Sequence, residues 1–368
     1  MVEKPAIALV GESLVDLVLE GESPLAFTGT LGGSVLNTAT VLARLGYPVR
    51  FFSEVGEDWL SAWSEVEMAR RGLNPKLQRH PGPMPLALVR LDPEGNARYS
   101  FHRPFQAPFL PESGALRGVG AFHFGSLFAL EARTAKGVAA LLEEAARAGA
   151  LLSYDPNLRG LPSPEERARV EAYLGRVDLL KLSLEDARLL FPEAPLEAVR
   201  RLPPRLKVLT LGPEGALAFL GEGEVRVPGV RVRVVDTVGA GDTFTAGLLA
   251  LLLRRGGGRG APEGLDLEGA SVDIACGRLG RGPFRLGLHR PGGGPPRGGP
   301  RRLAGPVACG LGLLGHELQK GLHHLGVKLL ARLFPDVGQG LLLRPGLAVG
   351  PVRGEGVVHV RHGEDAGR

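Results

Sequence analysis

The run Asp236-Thr237-Val238-Gly239-Ala240-Gly241-Asp242-Thr243-Phe244-Thr245 sets two glycines and a carboxylate at the head of an apolar stretch, 246–253, that reads as a helix. Amides at a helix N-terminus lack intrahelical partners and carry partial positive charge, and glycines let an anion approach the backbone closely. A phosphate is favoured at such a place, and an aspartate beside it is suited to take the proton of an attacking hydroxyl. The plainer alternative is a tight turn with Asp242 as N-cap. A second glycine-rich element, Gly32-Gly33-Ser34-Val35-Leu36-Asn37, lies about two hundred residues upstream and opens another helix-like stretch, 38–45. Two such elements in one domain point to two ligands.

The segments around these elements alternate between short apolar runs and helical patterns. Ile7 to Val10, Val49 to Val55, Ala121 to Leu127, Leu151 to Asp155, Leu179 to Leu182 and Val208 to Leu211 predict buried strands, while Glu131 to Ala148 and Pro164 to Leu174 predict helices, the first of them stopped at Gly149. The expected class is α/β: a central, mainly parallel sheet with helices on both faces, binding ligands beyond the carboxyl ends of its strands. Period-two alternation over 14–30 and 86–103, with a turn at Asp92-Pro93-Glu94-Gly95-Asn96, predicts paired antiparallel strands. They suit a small second sheet, a lid at about 12–30 and 84–104, able to exclude water from a cleft.

Composition excludes several classes. A content of 44% hydrophobic and 23% charged residues is that of a globular protein, and no run of eighteen apolar residues is present. The N-terminus leads straight into a strand, so the expectation is a cytoplasmic chain without membrane contact. Two cysteines make no disulfide framework and no zinc site of known spacing. The net charge of +5 is carried by one end: 273–368 holds 14 Lys or Arg against 6 Asp or Glu, and the rest is slightly acidic. That distribution argues against a folded nucleic-acid-binding module.

The motifs together resemble the ribokinase-like, or PfkB, carbohydrate kinases over about residues 5–255, and those around 122–127, 155–159 and 181–186 are most similar to bacterial fructokinases. The resemblance implies a ribokinase-like fold and transfer of a phosphoryl group from ATP, with magnesium, to a primary hydroxyl of a small sugar, fructose first. It implies Asp242 as base with Gly239, Ala240 and Gly241 as the anion site, and Asp16, Gly32, Gly33, Asn37, Arg103, Asn157 and Arg159 on the sugar. Ser183, Asp186, Thr210, Gly212 and Gly215 would meet the nucleotide, with Asp186 on the metal and a potassium ion near Asp236. A homodimer is compatible with the family. Arg103 and Arg159 leave the sugar open between a neutral ketose, whose hydroxyls they would bond, and an acid such as 2-keto-3-deoxygluconate, whose carboxylate they would pair.

Two departures stand out. The family's Asn-x-x-Glu is replaced by Ser183 and Asp186, whose carboxylate either supports magnesium or simply favours the first turn of a helix. Past about Ser271 the apolar periodicity fails and Arg, Gly, Pro and His rise, where the family would place a wall of the adenine pocket. The expected division is therefore a kinase domain over 1–270 and an atypical tail over 271–368. The tail resembles a GC-rich gene read in a shifted frame, and an uninterrupted frame through codon 271 on resequencing would refute that. A disordered basic extension and an oligomerisation segment are the alternatives. A sugar-binding protein with an impaired ATP site remains as the non-enzymatic alternative.

Overall fold

Most of the expected strands are unbroken apolar runs because both of their faces are covered, which removes the need for polar alternation. In the computed structural model, which describes residues 4–91, 97–229 and 239–254 together with Gly256 and Gly258, they are β1 (Ala6–Val10), β4 (Val49–Val55), β8 (Val119–Gly125), β9 (Leu151–Asp155), β10 (Leu179–Ser183) and β11 (Leu206–Thr210), joined by three strands the apolar runs do not announce, β5 (Lys76–Arg79), β12 (Gly215–Leu220) and β13 (Gly223–Pro228). Among the described residues these form one sheet in the order β13-β12-β11-β10-β9-β8-β1-β4-β5. Neighbours from β5 to β11 are parallel. The antiparallel β12 and β13 hairpin at one edge was not read from the sequence. The expected 92–96 turn, Asp236 and the 271–368 tail lie outside the described residues, all of which fall within the first of two units, Met1–Arg301.

Eight helices of the described residues connect or flank these strands: α1 (Ser34–Arg44), α2 (Trp59–Arg70), α3 (Ser126–Leu130), α4 (Ala132–Arg147), α5 (Pro164–Leu174), α6 (Leu184–Leu190), α7 (Pro195–Arg201) and α8 (Ala240–Arg254). The alternation along β1 shows how the sheet divides the core. Ile7 and Leu9 pack on one face with Val35 and Leu36 of α1 and Leu249 and Leu252 of α8. Ala8 and Val10 pack on the other with Val138 and Leu142 of α4 and Tyr173 of α5. Each fully buried Leu or Phe contributes roughly 1.5–3 kcal/mol, so both layers are needed to hold the strand ends in register. α5 begins where Pro164 follows the Ser163 cap, whose hydroxyl accepts from the Glu166 N–H in a reciprocal capping box.

The second sheet, expected as a lid, is present as β3-β2-β6-β7, with β2 (Leu14–Glu22), β3 (Leu25–Gly32), β6 (Leu86–Leu91) and β7 (Ala97–His102). Its two antiparallel pairs agree with the period-two patterns. They join through a parallel β2–β6 pairing, which no local pattern announces because the partners are some seventy residues apart. β3 ends at Gly32 and α1 starts at Ser34, so this small sheet runs directly into the first glycine-rich element.

Candidate active site

The parallel strands end on one edge of the sheet, at Val10, Gly125, Asp155, Ser183 and Thr210. α1 and α8 pack side by side against one face of the sheet. Thr38 Oγ1 donates to the carbonyl of Asp242 at 3.2 Å, and the Tyr47 hydroxyl donates to the carbonyl of Ala250 at 2.9 Å. Their N-terminal turns, distant in sequence, thereby face each other.

Asp242 is the third residue of α8 and not its N-cap, which corrects the tight-turn alternative. Its Oδ1 accepts from Ser34 Oγ at 2.7 Å and its Oδ2 from Asn37 Nδ2 at 2.9 Å. Gly239 sits just before the helix with φ 74°, and Ala240 and Gly241 begin it. The half-buried carboxylate thus lies beside the first-turn amides, held by α1. Burial pushes its pKa above the usual carboxylate range, against the Ser34 and Asn37 bonds and the charge of Lys181. A base raised in this way holds a proton more tightly once it has taken it.

On the lid side, glycine at 32 and 33 is a steric requirement. A Cβ on Gly32 would meet Asp16 Oδ2 at 2.0 Å, and one on Gly33, with φ 128°, would meet the carbonyl of Glu12 at 2.2 Å. The Glu12 carboxylate accepts from the backbone N–H groups of Ser34, at 3.4 Å, and of Phe128, at 3.1 Å, tying the β1–β2 turn to α1 and α3. Burial pushes the Asp16 carboxyl up to about 6; Arg159 opposes this, while Glu12 and Asp242 add to it. Arg159 is exposed, and its guanidinium lies 5.2 Å from the centroid of Tyr99, on lid strand β7. Asn157 adopts φ 41° and donates to Ser126 Oγ at 3.5 Å, and Ser126 itself has φ 57°. Two left-handed non-glycine residues at adjacent strand ends cost roughly 1–3 kcal/mol each, a strain that concentrates at functional sites. Arg103, just past β7, pairs with Glu131, which also meets Arg133 Nε at 2.8 Å; Arg133 in turn holds the buried Glu54 through two bonds.

The residues expected on the nucleotide lie further along the same edge, in register: Ser183 of β10 pairs with Thr210 of β11. Asp186 is committed to the fold. Its Oδ1 accepts from Leu158 N–H at 2.8 Å, and its Oδ2 from the N–H and hydroxyl of Ser183 at 2.9 and 2.6 Å, closing a capping box on α6. Thr210 Oγ1 donates to the Leu182 carbonyl at 3.3 Å. Gly212 and Gly215 bound a short turn with φ 56° and 105°, and a Cβ on Gly215 would meet the Val227 carbonyl at 1.9 Å. Among the described residues no group of three acidic, histidine or cysteine side chains is gathered to hold a metal.

Several residues of the site were not assigned roles from sequence. Ser34 lies inside the run Gly32 to Asn37, where no local pattern marks its hydroxyl as a partner of Asp242. Lys181 and Asp155 form a buried ion pair at 3.0 Å beneath Asp242's helix, and the visible signal was a lysine set within the apolar run Leu179-Leu180-Lys181-Leu182. Glu131, which partners Arg103, had no sequence signal beyond opening a helix.

The pfkB family carbohydrate kinase model matches residues 4–273. A fructokinase of Rhizobium leguminosarum bv. trifolii is 32% identical over 267 residues, covering 67% of this chain and 79% of the relative. A probable chloroplastic fructokinase-6 of Arabidopsis thaliana is 34% identical, covering 68% and 71% respectively. The crystal structure of a fructokinase with bound ATP from Xylella fastidiosa superposes with a TM-score of 0.67 at 26% identity, covering 75% of this chain and 91% of that one.

Proposed function

The chain belongs to the pfkB family of carbohydrate kinases and is a sugar phosphotransferase, and from that premise we propose that it transfers the γ-phosphoryl group of ATP to a primary hydroxyl of fructose. The observation that carries this reading is the clamp on Asp242, whose two oxygens are held by Ser34 and Asn37 at the first turn of α8. As the sugar oxygen bonds to phosphorus and the bond to the β-phosphate oxygen breaks, Asp242 receives the hydroxyl proton. The amides of Gly239, Ala240 and Gly241 bond the migrating group's oxygens, a contribution commonly worth about 3 kcal/mol per donor. Asp16, Gly33 and Asn37 orient the sugar, and closure of the lid excludes competing water.

Charge favours a neutral sugar over a sugar acid. Arg103 is paired with Glu131, and Arg159 faces Asp16, with Glu12 and Asp242 nearby, so a substrate carboxylate would meet more negative than positive charge. Magnesium would be held mainly by the nucleotide phosphates and when bound would neutralise their charge, with Asp186, expected on the metal, instead shaping the nearby backbone through Leu158 and Ser183. The potassium ion at Asp236, a second copy of the chain as partner, and a domain boundary near residue 270 belong to the same proposal. Among the described residues no helix is long and apolar enough to cross a membrane. The test is a panel of fructose, 2-keto-3-deoxygluconate, ribose and adenosine with ATP and magnesium. The highest kcat/KM is expected for fructose, and a preference for the sugar acid would reverse the charge argument. Calorimetric binding of fructose without any binding of an ATP analogue would favour the non-catalytic alternative.

A further inference from the structure

A lysine and an aspartate buried together behind the anion site do nothing in the mechanism above. Lys181 of β10 and Asp155 of β9 are 4% and 3% exposed, and Lys181 Nζ lies 3.0 Å from Asp155 Oδ2. A Cβ added to Gly241 would lie 3.1 Å from that ammonium, so the cation lies directly against the first turn of α8. Thr245 Oγ1 bonds the Gly241 carbonyl at 3.1 Å and approaches Asp155 Oδ2 at 3.5 Å, fastening the pair to that turn. Asp155 Oδ1 is buried and accepts no hydrogen bond among the described residues. Stability alone explains the pair poorly. Buried ion pairs contribute little net stability, and an unsatisfied buried oxygen costs about 1–3 kcal/mol.

We infer that Lys181 and Asp155 are positioning residues that set the charge of the phosphoryl-transfer site: the ammonium backs the anion-binding turn and favours the ionised form of Asp242, while Asp155 holds the ammonium in place and limits its effect. This rests on the reading of Asp242 as base. Burial by itself would lower the Lys181 pKa, but Asp155 and Asp186, with Asp242 behind them, keep the ammonium charged. The groups facing Asp242 are Ser34 and Asn37 from α1, Asp16 from the lid, and Lys181 and Asp155 from the sheet. His123, next to Lys181, is pushed down to about 3 by burial and by that cation, so it stays neutral at working pH. Removing Lys181 should therefore raise the pKa of Asp242, and removing the charge of Asp155 should lower it.

The experiment uses the full chain. Wild-type turnover of fructose is measured first. Its absence would defeat the reading of function without touching the pair, because the Asp242 carboxyl can be titrated directly by carbon NMR, with Asp242→Asn providing the assignment. Lys181→Met is expected to move that titration, and the acid limb of kcat, up by about one pH unit, with fructose KM changed less than about threefold. Asp155→Asn should move both down, and Lys181→Met with Asp155→Asn should bring them back near wild type. A merely structural pair would alter stability without moving the two single variants in opposite directions. An unmoved titration in folded Lys181→Met, or same-direction shifts in both singles, overturns the inference. If Lys181→Met fails to fold, Asp155→Asn and the double variant, which leaves no unpaired charge, decide it: no downward shift in Asp155→Asn overturns it.

Discussion

The two halves of the proposed site, one assigned to the sugar and the other to the nucleotide, are built differently. Around Asp242 and Asp16, side chains from segments more than two hundred residues apart bond one another, as Ser34 and Asn37 bond Asp242. Along Ser183, Asp186, Thr210 and the Gly212–Gly215 turn, polar side chains bond mainly the nearby backbone, and the turn itself is shaped by glycine conformation. The contrast teaches where chemistry is sensitive: to side-chain identity in the first half, to backbone shape in the second.

The largest effect is expected from Asp242→Asn, which keeps the shape of the clamped group but removes the base. kcat should fall by about 10³-fold while calorimetry still detects fructose binding. Retained turnover would erase the distinction between the halves. Next comes Gly32→Ala, whose methyl group would collide with Asp16 Oδ2, 2.0 Å away. Loss of bonds to a charged group at that level should raise fructose KM about 10- to 100-fold and leave ATP KM nearly unchanged.

The nucleotide half should respond in the opposite sense. Asp186→Asn weakens the α6 cap and the bond to Leu158, costing about 1–2 kcal/mol in chemical denaturation, while kcat and its magnesium dependence stay within a few-fold of wild type. A steep change in magnesium requirement would place Asp186 on the metal and make the halves alike.

The smallest effect concerns pH. The Asp16 carboxyl is raised to about 6 in the folded chain. A raised acid favours the folded state below its unfolded pKa, and that contribution is lost as pH rises from about 4 through about 6. Fructose bonding to the carboxylate acts the other way, so binding near pH 6 should release protons, and affinity should weaken on acidification. Calorimetry in buffers of different ionisation enthalpy measures the release, and Asp16→Asn should abolish it.

Much of this was readable along the chain. Strands such as Leu151–Asp155 announce themselves because a run of apolar residues satisfies both faces of a covered sheet, and Pro164–Leu174 carries its own proline start and serine cap. Asp242 and Asn37 stand out through neighbouring glycines, and Asp16 only through the family resemblance of the opening strand. Lys181 was visible as a charge in an apolar strand, yet its use was not, because its partners lie on β9 and α8. The β2–β6 pairing and the Arg103–Glu131 contact were hidden for the same reason.

Local sequence therefore determined the elements, their order and the chemical kind of each candidate group, since propensity, capping and glycine requirements act over a few residues. Only the tertiary structure decided that Ser34 and Asn37 grip Asp242, that Asp186 also holds the Leu158 amide, and that an ammonium lies against the first turn of α8. Those facts depend on which distant segments the two layers of core bring together, and such pairings come from packing the whole sheet, not from any stretch of it.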